Sequence, residues 1–222
     1  AVVAAGTINE TNIIRFSGYI ADLMIKYRNI TLIPEARSTG RTLVDTLLLR
    51  LPAVGIDPFK RIYNTIVEDG PSGDSRNWEV VENVDVGRRN PDFYDRTKKH
   101  FGFATSGAGR HGRNALYSDT LTRAAQMAGS ATHDKVLIDE ITALVVKNGR
   151  IDHSSGNHDD MVVAWLLGIW MLTLSKNLQF YGITNALTRV IETTMDGQAI
   201  RPKDAYEEYQ AERLAEAREQ MA

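Results

Sequence analysis

The stretch Met161–Leu174 most constrains what this chain can fold into. It is apolar on every face and is interrupted only by Gly168 and Thr173. A helix apolar all round has to be enclosed. The stretch falls short of the roughly 20 residues that a membrane span requires, so it predicts a buried core helix. Enclosing it takes a sizeable body of protein, and 222 residues supply one large domain or two small ones. Apolar residues at 43% and charged residues at 24% are ordinary for a folded chain. The net charge of −2 gives no global attraction for nucleic acid, so any such attraction must be local. The absence of cysteine excludes disulfides, zinc–thiolate and iron–sulfur sites, and cysteine nucleophiles. The start at Ala1, without a basic segment before Gly6, shows no signal peptide and fits a mature form or a fragment.

Periodicity gives the elements around this helix. Ala1–Ala5 reads as the tail of a strand. Ile13, Ile14, Phe16, Ile20, Leu23, Met24 and Tyr27 recur at helical spacing. Asn29–Pro34 is short and β-branched, a predicted strand with Glu35 at its end. Leu43, Val44, Leu47, Leu48 and Leu51 predict a helix stopped by Pro52. This alternation favours an α/β layer fold. Arg61–Glu68 and Trp78–Val86 are β-like and predict a hairpin with a tip at 69–74, within an excursion over 57–95. Ala115–Met127 and Val136–Val146 are predicted helices, and Arg150–His153 a short edge strand. Residues 1–176 thus read as one domain. Residues 177–222 read as an extension with a helix near 204–221, rich in Ala, Glu and Arg.

Three features could carry chemistry. The first is His158-Asp159-Asp160, at the entry to the buried helix. One reading makes Asp159 the cap and Asp160 a first-turn acid facing the helix dipole. The other has both carboxylates converge on a divalent cation. The second feature is Glu35, which stands at the carboxyl end of a strand, where α/β sheets gather function. It either pairs with Arg37 or Arg41 or joins the acids. Two Mg²⁺ ions about 4 Å apart, held by such carboxylates, can activate water and stabilise the leaving oxygen of a phosphodiester. The third feature is the acid-free basic stretch 96–113, with Lys98, Lys99, Arg110 and Arg113 as candidate phosphate contacts. Its Phe101 and Phe103 read as core residues. His133-Asp134 and His158-Asp159 are too few histidine pairs for a His-Asp phosphohydrolase. No phosphate loop of the Walker type is present.

Four segments, in order, resemble the C-terminal nuclease domain of the large terminase subunit of tailed bacteriophages. They are Ile33-Pro34-Glu35-Ala36 with Gly40 and the following helix, then Phe101-Gly102-Phe103-Ala104-Thr105-Ser106. Leu137-Ile138-Asp139-Glu140-Ile141 through Gly149-Arg150-Ile151 follows, and His158-Asp159-Asp160-Met161-Val162-Val163-Ala164 closes the series. The resemblance implies an RNase H-like fold, a mixed sheet flanked by helices. It implies a two-metal endonuclease, using Mg²⁺ or Mn²⁺, that cuts concatemeric viral DNA at the start and end of packaging. It implies catalytic and metal-binding roles for Glu35, Asp159 and Asp160, with Asp160 the favoured ligand. The implied partners are double-stranded DNA and, through the full-length protein, the portal, the small terminase subunit and an upstream ATPase domain. The implied setting is the cytoplasm of an infected host cell. The family's first-strand Asp has no counterpart here, and Asp22 on a helix is no substitute. The expectation is therefore a fragment that starts after the first strand and holds metal poorly. The alternatives are an RNase H-like junction resolvase and a non-catalytic module that docks on DNA or the portal.

Overall fold

In the computed structural model the described residues are 11–89, 91–105, 112–147, 149–154, 156 and 158–183. Helix α1 (Ile13–Lys26) is capped by Asn12, whose side chain accepts from the Ile14 amide at 2.8 Å. Helix α2 (Ser38–Ala53) buries Leu43, Val44, Leu47, Leu48 and Leu51 on one face and packs against α1. Pro52 lies in its last turn, one residue before its end. Helices α3 (Thr65–Asp69), α4 (Ser75–Asn83) and α5 (Pro91–Thr97) follow. Then come α6 (Arg113–Ala128), α7 (Lys135–Thr142), the strands β1 (Leu144–Lys147) and β2 (Arg150–His153), and α8 (Asp160–Leu174). Among the described residues no helix is long and apolar enough to cross a membrane.

Three extended segments position the rest. Residues 30–36 pair in parallel first with 61–64 and then with 101–103. The Leu32 amide donates to the Arg61 carbonyl at 2.8 Å, and the Tyr63 amide donates back to Leu32 at 2.9 Å. Phe103 donates to Pro34, and Ala36 to Phe103, both at 2.8 Å. Gly102 donates to Tyr63 at 2.8 Å and so ties the other two segments together. Gly102 adopts φ +84°, and a Cβ there would stand 2.9 Å from the Pro34 carbonyl. Only glycine meets both conditions.

Helix α8 is the centre of the core, as its apolar surface predicts. Val162, Leu166 and Trp170 are fully buried. The Trp170 ring meets Tyr63 edge-on at 5.5 Å and Phe103 at 4.8 Å, which locks α8 onto the extended segments. Phe101 packs on Phe59 at 4.7 Å, so both aromatic residues of the basic stretch are core residues. Helices α6 and α7 pack against α8.

The fold is thus a mixture of helices and sheet. Among the described residues its only named sheet is the antiparallel β1–β2 pair, with Val145 opposite Asp152. Among the described residues, the segments 30–36, 61–64 and 101–103 are joined at single paired positions and make no larger mixed sheet.

Two predicted elements are corrected. The hairpin expected within 57–95 is helical. Asn64 accepts from the Val67 amide at 2.9 Å and starts α3, and Asp74 accepts from Arg76 at 3.1 Å and starts α4. These caps, with Ile66, Val67 and Val81 turned into the core, outweigh the β-preference of the valines and isoleucines. Only residues 61–64 keep the extended form. The helix expected over 136–146 ends at Thr142, and Leu144–Lys147 pairs with β2 instead. The strand expected at 1–5 and the helix expected near 204–221 lie outside the described residues.

Candidate functional site

Glu35 lies at the end of the first extended segment, half-buried. Gly40 sets its position. A Cβ on Gly40 would stand 1.8 Å from the Glu35 carbonyl oxygen, so a residue with a side chain could not bring the start of α2 against this backbone. Glu35 borders a cleft of about 170 Å³ with Ile13 and Phe16 of α1 and Arg37, Thr39 and Leu43. Its Oε1 accepts a hydrogen bond from the Thr105 hydroxyl. No ion pair joins Glu35 to Arg37 or Arg41. Arg41 instead donates to the carbonyls of Lys98 and Lys99 at 3.4 and 3.3 Å.

Asp159 is buried, with 5% of its surface exposed. It stands at the N-terminal boundary of α8 but makes no side-chain cap. Glu140 of α7 does that work, since its Oε2 accepts from the Met161 and Val162 amides at 2.9 and 3.1 Å. The Asp159 carboxylate turns toward α6. Its Oδ2 accepts from Tyr117 Oη at 2.5 Å and from Arg113 Nη2. The same Arg113 nitrogen lies 3.5 Å from Oδ1 of Asp152 on β2. Asp160, the first residue of α8, is exposed, as is His158.

One backbone hydrogen bond connects the residues that hold these two carboxylates. The Arg113 amide donates to the Thr105 carbonyl at 3.1 Å. The chain Glu35–Thr105–Arg113–Asp159 is therefore continuous through polar contacts, although its ends lie far apart in sequence. Thr105 is buried, with 4% of its surface exposed, so its hydroxyl is held on Glu35.

The electrostatics follow the contacts. Burial pulls the Arg113 pKa down, but the hydrogen bond and charge of Asp159 outweigh it, and the net shift is upward. Tyr117 is pushed far above the usual tyrosine range by burial and then by the Asp159 carboxylate, so its hydroxyl stays a donor. Asp152 is lowered, first by the His153 amide.

The other predicted site residues divide. Lys98 and Lys99 are exposed on a 3₁₀ turn, with Lys98 3.2 Å from Asp95. Burial and then the Lys99 charge lower the pKa of the neighbouring His100. Arg110 lies outside the described residues. Arg113 is engaged inside the protein by two carboxylates. Tyr117 had no motif to mark it, and Glu140 stood within the segment 137–141 without a role of its own. The signal for Tyr117 was its i, i+4 spacing from Arg113, which puts both on one face of α6.

These donors do not fit a two-ion centre. Among the described residues, no three His, Asp or Glu side chains gather into a metal-binding group. One oxygen of Asp159 already accepts from a cation and a hydroxyl. No family model, curated protein or solved structure matches this chain.

Proposed function

We propose that this chain is the DNA-hydrolysing part of a terminase-type packaging enzyme, with Glu35 and Asp160 as its essential acids and Asp159 orienting the second. The order of the four sequence segments suggests the family. The observation that carries the reading is the polar chain from Glu35 through Thr105 and Arg113 to Asp159. It links the strand acid to Asp159 of the closing motif, and Asp160 is the next residue in the chain.

The protein's own groups have distinct tasks in this reading. The α8 scaffold, fixed by Glu140 and Trp170, holds Asp160 at the helix start with its carboxylate open to solvent. Gly40 and Thr105 hold Glu35. Lys98 and Lys99 contact the DNA backbone without reading sequence. Mg²⁺ or Mn²⁺ would supply water activation in such an enzyme. The described acids do not complete a two-ion site, so the reading requires a further carboxylate from outside them. RNase H-like architecture, cutting of concatemeric viral DNA, and association with the portal, small subunit and ATPase domain belong to this proposal. The second reading, a non-catalytic module docking on DNA or the portal, is favoured by one observation, the pairing of Asp159 with Arg113.

Nicking of supercoiled plasmid with Mn²⁺ tests the choice. The nuclease reading expects cleavage that falls at least about 100-fold in both Glu35→Ala and Asp160→Asn, the scale of losing one positioned catalytic group. Metal-independent, salt-sensitive DNA binding without cleavage, unchanged by Glu35→Ala, would establish the docking module instead.

A further inference from the structure

We infer that Arg113 is a resident counter-cation that keeps divalent metal off Asp159. This rests on the proposed reading of Glu35, Asp159 and Asp160 as one acidic centre. The placement of Arg113 is unusual on three counts. It is the first residue of α6, where the positive end of the helix dipole disfavours a cation. It has no capping side chain before it, because the preceding residue is Gly112. One of its nitrogens lies between two carboxylates, bonded to Asp159 Oδ2 and 3.5 Å from Asp152 Oδ1. A point shared by two carboxylates is a cation position, and here the protein fills it with its own guanidinium.

The surroundings fix that guanidinium in place. Its own backbone amide is tied to Thr105, and its charge lies 5.6 Å from the Tyr117 ring centre. Tyr117 supplies a second donor to the same Asp159 oxygen. A buried carboxylate needs such compensation, so Asp159 is satisfied without metal. Asp160 next to it, exposed, remains open to an ion. Arg113 and Tyr117 are thus positioning residues that set how strongly this end of the centre takes up a dication.

Mn²⁺ binding to the full chain, read from the electron paramagnetic resonance signal of free Mn²⁺, tests this. Arg113→Gln removes the competing charge, and the expected result is Mn²⁺ affinity raised by roughly tenfold or more. Arg113→Lys, which restores a cation, is expected to stay near the wild-type affinity. The gain is expected to vanish in Arg113→Gln combined with Asp159→Asn. Unchanged or weaker Mn²⁺ binding in Arg113→Gln, with the helical circular dichroism intact, overturns the inference. If that variant loses its fold, Tyr117→Phe decides, with tighter Mn²⁺ binding expected and unchanged binding contrary. The two accounts fail separately. Plasmid nicking indifferent to Glu35→Ala defeats the nuclease reading, whereas a flat Mn²⁺ response to Arg113→Gln defeats only the counter-cation.

Discussion

At the scale of single residues, the site depends on side chains that could not be longer or absent. Gly40 is the clearest case. A Cβ there would sit 1.8 Å from the Glu35 carbonyl oxygen, and backbone rather than a flexible side chain must yield. Gly40→Ala is therefore expected to destabilise the fold by about 1–3 kcal/mol and to weaken any Glu35-dependent cleavage with it. Urea unfolding checks the first and plasmid nicking the second. Glu35 and the α8 acids were legible in the sequence because each follows or precedes an apolar run, where a bare acid is conspicuous. The contacts that join them were not. Thr105 reaches Glu35 across 70 positions, and Arg113 reaches Asp159 across 46. No local pattern records a contact of that separation. Arg113 stood out only as one charge in a basic stretch, a pattern that suggests an external anion before an internal carboxylate.

Among the elements, α8 shows how capping frees a functional group. Asp before an apolar run reads as a helix cap, yet Glu140 on α7 satisfies the first free amides of α8. Asp159 can then turn toward α6. Glu140→Ala is expected to cost about 1–2 kcal/mol, the scale of losing a helix cap, measured as a lowered urea midpoint. Glu140→Gln, which keeps an acceptor, should recover much of it. Helices with broad apolar stripes, such as α1, α2 and α6, were legible because burial of one face dictates both their period and their length. The pair α3 and α4 was not. Their segments hold β-branched residues in short runs, and the deciding groups are the single caps Asn64 and Asp74. Leu144–Lys147 is a further ambiguous run, apolar and brief, that continues a helical pattern until its pairing with Arg150–His153 settles it as a strand.

For the whole molecule, a buried helix, three extended segments and a polar chain make one arrangement. Trp170 presses on Tyr63 and Phe103, so the core that encloses α8 also fixes the segments that carry Glu35 and Thr105. The acids are held by packing and by neighbouring helices. Asp160 is exposed, and Asp159 is paired with Arg113 and Tyr117. In the proposed function Glu35 and Asp160 serve one centre. An anomalous difference map from crystals soaked in Mn²⁺ tests this. The expected result is a peak within direct bonding distance of both Glu35 and Asp160, lost in the Asp160→Asn protein. A peak bound by neither acid, or no peak in a protein that still cleaves DNA with Mn²⁺, would contradict it.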